Sequence, residues 1–233
     1  MRAIVIQHEH HEGAGLIEPA LASAGFTPVP RFRAVAPGDA TAELVVVMGG
    51  GMSAWETDSH PFLAAERALL ADRLRRDAPC LGVCLGAQLL ALAAGADVSR
   101  GDDGIEIGVA PVRWTNAARS DPVIAADTND LDVAHWHQDT FTAVPGAMLL
   151  ASTDRYEQQA FRIGRSYGFQ FHVELDAKTF AHWIERAANE LVAQGCDAAA
   201  LRDEAASLQR THDRRVALLD RLAQHFTAAT TRR

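Results

Sequence analysis

Three short, continuously apolar runs separated by helix-length segments constrain the fold more than any other feature of the chain: Ala3-Ile4-Val5-Ile6, Leu44-Val45-Val46-Val47-Met48 and Cys80-Leu81-Gly82-Val83. A run with no polar alternation fits a strand covered on both faces, and such sheets are built from parallel strands joined by helical crossovers. The intervening segments supply the helices: residues 16–24, closed by Gly25; residues 61–76, opening on Pro61 at a favourable first-turn position; and residues 88–94, ended by Gly95. With residues 26–32 as a further strand, the first ninety or so positions spell a doubly wound α/β layout, a mostly parallel sheet flanked by helices.

The middle of the chain changes character. Residues 107–114, 148–152, 159–163 and 167–171 read as strands with short turns between them, which suits antiparallel pairing. From Asp176 onward the pattern is helical, with Phe180, Trp183, Ile184, Ala187, Ala188 and Leu191 at a period near 3.6 and Gly195 as the stop. A second helix is expected over residues 197–226, followed by a frayed Thr/Arg tail. The organisation expected is one domain over residues 1–195 with a helical C-terminal extension over 196–233, whose apolar stripe packs on its own domain or meets another subunit.

Composition narrows the classes of function. A chain of 233 residues that is 48% hydrophobic and 22% charged can bury a full core, and a formal charge of −8 argues against nucleic acid or an anionic membrane as partner. No apolar run approaches the length of a spanning helix. Cys80, Cys84 and Cys196 are an odd set without metal-ligand spacing, and no leader pattern opens the chain, so a cytoplasmic location and a small-molecule substrate are expected.

Chemistry concentrates at Gly82-Val83-Cys84-Leu85-Gly86-Ala87-Gln88, where a buried strand turns abruptly into a helix. A cysteine at a strand end is usually an ordinary core residue. Glycines two positions to each side convert it into a nucleophile elbow, because they let strand and helix approach closely enough to hold the strained corner that lifts the thiol above the sheet. The helix N-terminus adds partial positive charge beside the sulfur, which favours thiolate. A second segment, Gly168-Phe169-Gln170-Phe171-His172-Val173-Glu174, ends an apolar strand in a histidine and a glutamate. If it stays extended, residues i and i+2 share a face, so the carboxylate can orient the imidazole; alone, the pair is an ordinary strand-end pair.

Taken together, these two segments resemble the signature motifs of the class I glutamine amidotransferases, most closely stand-alone members similar to the amidotransferase part of GMP synthase. Met48-Gly49-Gly50-Gly51-Met52-Ser53 resembles the family's glycine-rich turn, and Trp136-His137-Gln138-Asp139-Thr140-Phe141 its substrate-side loop. The resemblance implies a flavodoxin-like three-layer fold, Cys84 as nucleophile, His172 as general acid/base and Glu174 as its orienting carboxylate. It also implies an oxyanion hole at the backbone N–H groups of Gly50 and Leu85, and substrate contacts from Gln88, Met52, Gln138 and Asp139. No cofactor or metal is implied; a separate synthase chain is.

Three positions depart from the family pattern: Val173 and Gly51 stand where proline is common, and Gln138 where glycine is. Gln138 places a bulky polar side chain near the amino-acid end of the substrate and argues against strict specificity for free glutamine. The leading reading is thus a glutaminase feeding ammonia to a synthase. A γ-glutamyl peptidase or hydrolase with the same three residues is the alternative, and a non-catalytic binding protein on this fold the third. His8-Glu9-His10-His11-Glu12 lacks the helical spacing of a zinc site and reads as a solvated loop near the pocket. Trp114, Trp136, Phe141 and Trp183 could line a substrate mouth but read first as core, as does Cys80, whereas Cys196 reads as a bystander.

Overall fold

Alternate residues of the first apolar run face opposite sides of one sheet. Ala3 and Val5 belong to one buried cluster, Ile4 and Ile6 to another, and the same division separates Leu44 and Val46 from Val45 and Val47. The computed structural model, which describes residues 1–230, is therefore three-layered for the reason the apolar runs suggest: a strand apolar on both sides needs cover on both sides.

The parallel half consists of β1 (Arg2–Gln7), β2 (Thr27–Phe32), β3 (Leu44–Val47), β4 (Cys80–Val83) and β11 (Ser166–Phe169). Helices α1 (Ile17–Ser23), α2 (Phe62–Arg75) and α3 (Leu85–Ala93) lie in the crossovers. The other half is antiparallel and comprises β6 (Glu106–Trp114), β7 (Leu131–His137), β9 (Met148–Ser152) and β10 (Ala160–Ile163), giving the order β2-β1-β3-β4-β11-β10-β9-β6-β7. A two-stranded ribbon pairs β5 (Val98–Arg100) with β8 (Asp139–Phe141). Strands β1, β3, β4 and β11 are neighbours and point the same way, so their carboxyl ends open onto one rim, where open α/β sheets carry their ligands.

Several expectations are corrected. The strand expected over 167–171 stops at Phe169, and residues 170–174 are irregular, joined to β7 by a single bridge between His172 and Ala134. Strand β7 escaped the sequence reading because its inward positions include His135 and His137, which break the apolar alternation. The first C-terminal helix is broken at Ala187 into α4 (Ala177–Arg186) and α5 (Ala188–Ala193). The second is also two helices, α6 (Ala198–Ala205), capped by the Asp197 side chain, and α7 (His212–Thr230), joined by a 3-10 turn over Ala206–Thr211. That turn buries Leu208 and lets the Thr211 hydroxyl donate to the Asp132 carbonyl at 2.8 Å. The expected tail is helical to Thr230, and residues 231–233 lie outside the described residues.

Helix α7 is part of the core. Leu218, Leu219, Leu222, Ala223 and Phe226 pack with Ile17 and Leu21 of α1 and with Leu81 of β4. Among the described residues no helix is long and apolar enough to cross a membrane. Because Leu222 is fully buried, Leu222→Ala should lower stability by about 2–5 kcal/mol, read from the shift of the urea unfolding midpoint. A variant as stable as the parent would mean that α7 packs elsewhere.

Candidate active site

Helix α3 can follow β4 without a loop only because two glycines remove the side chains that would block it. A Cβ on Gly82 would lie 2.4 Å from the Gly86 carbonyl oxygen, and one on Gly86 would lie 1.9 Å from that of Val47. Between them Cys84 takes φ 52° and ψ −110°, a conformation that costs about 1–3 kcal/mol for a residue with a side chain. Its N–H donates to the Phe169 carbonyl at 2.8 Å, tying the corner to the end of β11. Leu85, at the first helical position, carries an N–H with no acceptor inside the helix.

The next strand end brings the histidine and the glutamate. His172 Nδ1 lies 2.8 Å from Glu174 Oε1, and both side chains are buried. The irregular segment thus achieves what extended geometry was expected to provide. His172 and Cys84 border the same spot: a Cβ on Gly49 would lie 3.2 Å from His172 Cε1 and 3.6 Å from Cys84 Cβ, and both residues line one cleft. Burial works against a charged His172, but the Glu174 carboxylate and the Cys84 sulfur outweigh it and hold the ring's pKa well above its usual value.

Glu174 is locked from two sides. Leu16 N–H donates to its carbonyl at 2.9 Å, and Gly15 lies so close that a Cβ there would come within 2.4 Å of the same oxygen. From α7 the fully buried Arg215 guanidinium donates to the carbonyls of Val173, at 3.3 Å, and Leu175, and at 2.9 Å to that of Leu208. The C-terminal helix therefore grips the backbone on both flanks of Glu174.

The glycine-rich turn is braced from beneath. His8 is fully buried, with Nδ1 2.8 Å from the Gly49 carbonyl oxygen and Nε2 2.9 Å from Glu66 Oε2. Burial opposes protonation, yet the Glu66 carboxylate and the Gly49 carbonyl raise its pKa above the usual imidazole value. In a trans peptide C=O and N–H point in opposite directions, so fixing the Gly49 carbonyl also fixes the N–H of Gly50. Gly50 lies against the start of α3, where a Cβ would be 3.0 Å from Leu85 Cδ2. The reading of residues 8–12 as a solvated loop is thus corrected at His8; its position directly after an apolar strand was the available signal. Glu12 also enters the site, because the space beside Gly49 is bounded at 3.2 Å by both Glu12 Oε2 and His172 Cε1. Burial raises the pKa of Glu12, with His172 pulling against that.

A cleft of about 630 Å³ joins these parts. Cys84, His172, Gly50, Leu85, Met52, Gln88, Gln138 and Asp139 all line it, whereas Glu174 sits behind His172. Trp136 and Trp183 are on its wall, and the Trp183 ring stands perpendicular to that of His172 at 5.2 Å; Trp114 and Phe141 pack into the core instead. Gln138 turns its side chain to the rim, where Arg100 donates to its Oε1 at 2.6 Å. His137, on this wall, forms with Glu106 and His135 behind it a buried cluster with ligand-type atoms within 4.8 Å of one another. Hydrogen bonds already occupy its carboxylate: Glu106 is 2.9 Å from His137 Nε2 and accepts from Thr153 at 2.7 Å and Gln159 at 2.6 Å. His135, whose pKa burial pushes down to about 4, stays neutral.

Residues 31–191 match the family model described as glutamine amidotransferase class-I. The chain belongs to this family. It is 31% identical over 204 residues to the glutamine amidotransferase-like protein YfeJ of Salmonella typhimurium, covering 84% of this chain and 85% of that one. A gamma-glutamyl-L-1-hydroxyisopropylamide hydrolase of a Pseudomonas species is 35% identical over 125 residues, 50% of this chain and 42% of the hydrolase. A glutamine amidotransferase crystal structure from Thermotoga maritima superposes with a TM-score of 0.85 at 30% identity, covering 97% of this chain and 98% of that one. The mixed, mostly parallel sheet flanked by helices is thus the fold of this amidotransferase family.

The His172–Glu174 contact predicts a titration. Followed by NMR, the wild-type His172 ring should keep its proton well above pH 6.5, and Glu174→Gln should move the midpoint down, since burial then acts with less opposition. A raised folded pKa means that the stability supplied by this pair is complete below about pH 6.5 and is lost as the pH rises through the folded midpoint. Identical midpoints in the two proteins would show that Glu174 does not hold the charge of His172.

Proposed function

We propose that this amidotransferase-family chain is an amidohydrolase that opens the γ-amide of a γ-glutamyl compound through a Cys84 thioester. The observation that carries the reading is the meeting, at one rim, of a sulfur on a strained corner with a histidine that a buried carboxylate orients at 2.8 Å. With His172 carrying the proton as imidazolium, Cys84 attacks the γ-carbonyl carbon as its thiolate. The N–H groups of Gly50 and Leu85 receive the developing oxyanion, a contribution worth about 10²–10³ in rate per donor in comparable sites. As the C–N bond breaks, His172 returns its proton to the departing amine and the thioester remains. Water, deprotonated by His172, then releases glutamate, and the proton restores the imidazolium beside the thiolate. Met52, Gln88, Gln138 and Asp139 hold the amino-acid part of the substrate. When glutamine is that substrate the product is ammonia, and a separate synthase chain is its acceptor.

One observation favours a larger leaving group than ammonia. At about 630 Å³ the cleft falls within the range of sites for drug-sized ligands, and beyond the sulfur it continues along α4 and α5 past Trp183, Arg186, Glu190 and Leu191. That extension supports turnover of γ-glutamyl conjugates of organic amines. Turnover of glutamine and of a series of γ-glutamyl alkylamides tests both readings. Cys84→Ala should abolish all turnover while the thermal unfolding midpoint stays within a few degrees of wild type, and Glu174→Gln should lower kcat less severely. Higher kcat/KM for the conjugates supports the larger leaving group, a preference for glutamine refutes it, and a fully active Cys84→Ala protein would sink the thioester route.

A further inference from the structure

Among the described residues the Cys84 sulfur has two hydrogen-bond partners, and they ask opposite things of it. The Trp136 carbonyl oxygen, at 3.8 Å, accepts a hydrogen bond from a thiol but repels a thiolate. The Gln170 side-chain nitrogen, also at 3.8 Å, donates and so favours the anion. We propose that Gln170 is a further catalytic residue whose amide N–H stabilises the Cys84 sulfur in its anionic form, and that Gln88 is the positioning residue that holds this amide the right way round. The inference rests on Cys84 being the nucleophile of the reaction proposed above, not on the identity of the substrate.

Hydrogen-bond logic fixes the orientation of both amides. Gln88 approaches the Asp139 carbonyl oxygen at 3.2 Å, and because a carbonyl only accepts, the atom facing it is Nε2. The same nitrogen lies 3.1 Å from the Gln170 side chain, so the Gln170 atom facing it is Oε1. A primary amide nitrogen carries two hydrogens, enough for both bonds. With its oxygen so committed, Gln170 can present only its nitrogen to Cys84. The Asp139 carbonyl is anchored in turn: His137 Nδ1 lies 3.1 Å from it and His137 Nε2 2.9 Å from Glu106. A chain of fixed polar groups thus runs from the buried Glu106 to the sulfur.

Gln170 is fully buried and Gln88 nearly so, so neither amide is free to turn toward water. A distance of 3.8 Å is long for a donor facing a neutral thiol. Charge on the sulfur draws the donor in, and a hydrogen bond to an ion is roughly twice as strong as one between neutral groups. Gln170 therefore contributes mainly when the thiolate forms, the condition for a donor that helps the reaction rather than the resting protein.

The test needs no substrate, so its failure is distinct from a failure of the substrate reading. The rate of Cys84 alkylation by iodoacetamide is measured on the full chain from pH 5 to 9, with mass spectrometry following the Cys84 peptide separately from those of Cys80 and Cys196. Gln170→Met should react roughly tenfold more slowly than wild type near pH 7. The two should converge toward about pH 9, where a cysteine ionises without help. Gln170→Glu should be slower still, and Gln88→Met, which frees the Gln170 amide to turn, should fall between wild type and Gln170→Met. Wild-type rates in Gln170→Met and Gln88→Met would overturn the proposal. So would a loss of equal size at every pH, the signature of a misplaced sulfur rather than a missing donor. If Gln170→Met fails to fold, Gln88→Met, which lies outside the contact with sulfur, decides by the same two criteria.

Discussion

The close approach of helix α3 to strands β3 and β4 is the constraint on which the rest of the site depends. It exists because Gly82 and Gly86 leave room where any side chain would strike a backbone oxygen, and it forces Cys84 into a backbone conformation that side-chain-bearing residues seldom adopt. The strain is local and small against the total of burial in two apolar clusters, so the fold can hold it. The corner puts three features in one place: a sulfur lifted above the sheet, the free N–H groups of a helix start, and contact with the glycine-rich turn after β3.

Around that corner the protein positions chain by capturing carbonyls with buried charged or polar side chains. His8, backed by Glu66, takes the Gly49 carbonyl; Arg215 takes those of Val173 and Leu175; His137, backed by Glu106, takes that of Asp139. The first two fix loops that follow strand ends, where the ladder no longer supplies hydrogen bonds, and the third fixes the first residue of β8. Burying such groups is costly unless they are paired, and these form several bonds each. Loops held this way have the rigidity that a reacting constellation needs, since a displacement of about 1 Å can cost roughly 10²-fold in rate.

The sequence was most legible where one local rule sufficed. The runs at Ile4, Val45 and Leu81 declared buried parallel strands because nothing else suits uninterrupted apolar residues of that length between helices, and the Gly-x-Cys-x-Gly frame declared a corner because small residues on both sides of a cysteine have a steric use. Legibility failed where long-range partners set the structure. Strand β7 hid behind His135 and His137, whose burial is tolerable only because Glu106 and the Ala110 carbonyl wait for them across the strand pair. His8 looked solvated because its partners, Gly49 and Glu66, are 41 and 58 positions away. The helix breaks at Ala187 and after Ala205 carry no proline or glycine, so no local signal announced them.

What the sequence alone determined was the alternation of strand and helix, the corner at Cys84, and the chemical types available at each strand end, because these follow from side-chain size, polarity and spacing along a few consecutive residues. Only the tertiary structure decided which strand ends are neighbours, and therefore that Cys84 meets His172, that an arginine of α7 steadies the segment of Glu174, and that Gln88 and Gln170 lock each other beside the sulfur. Strand order and loop register depend on contacts between residues far apart in the chain, whose joint energy no local stretch contains.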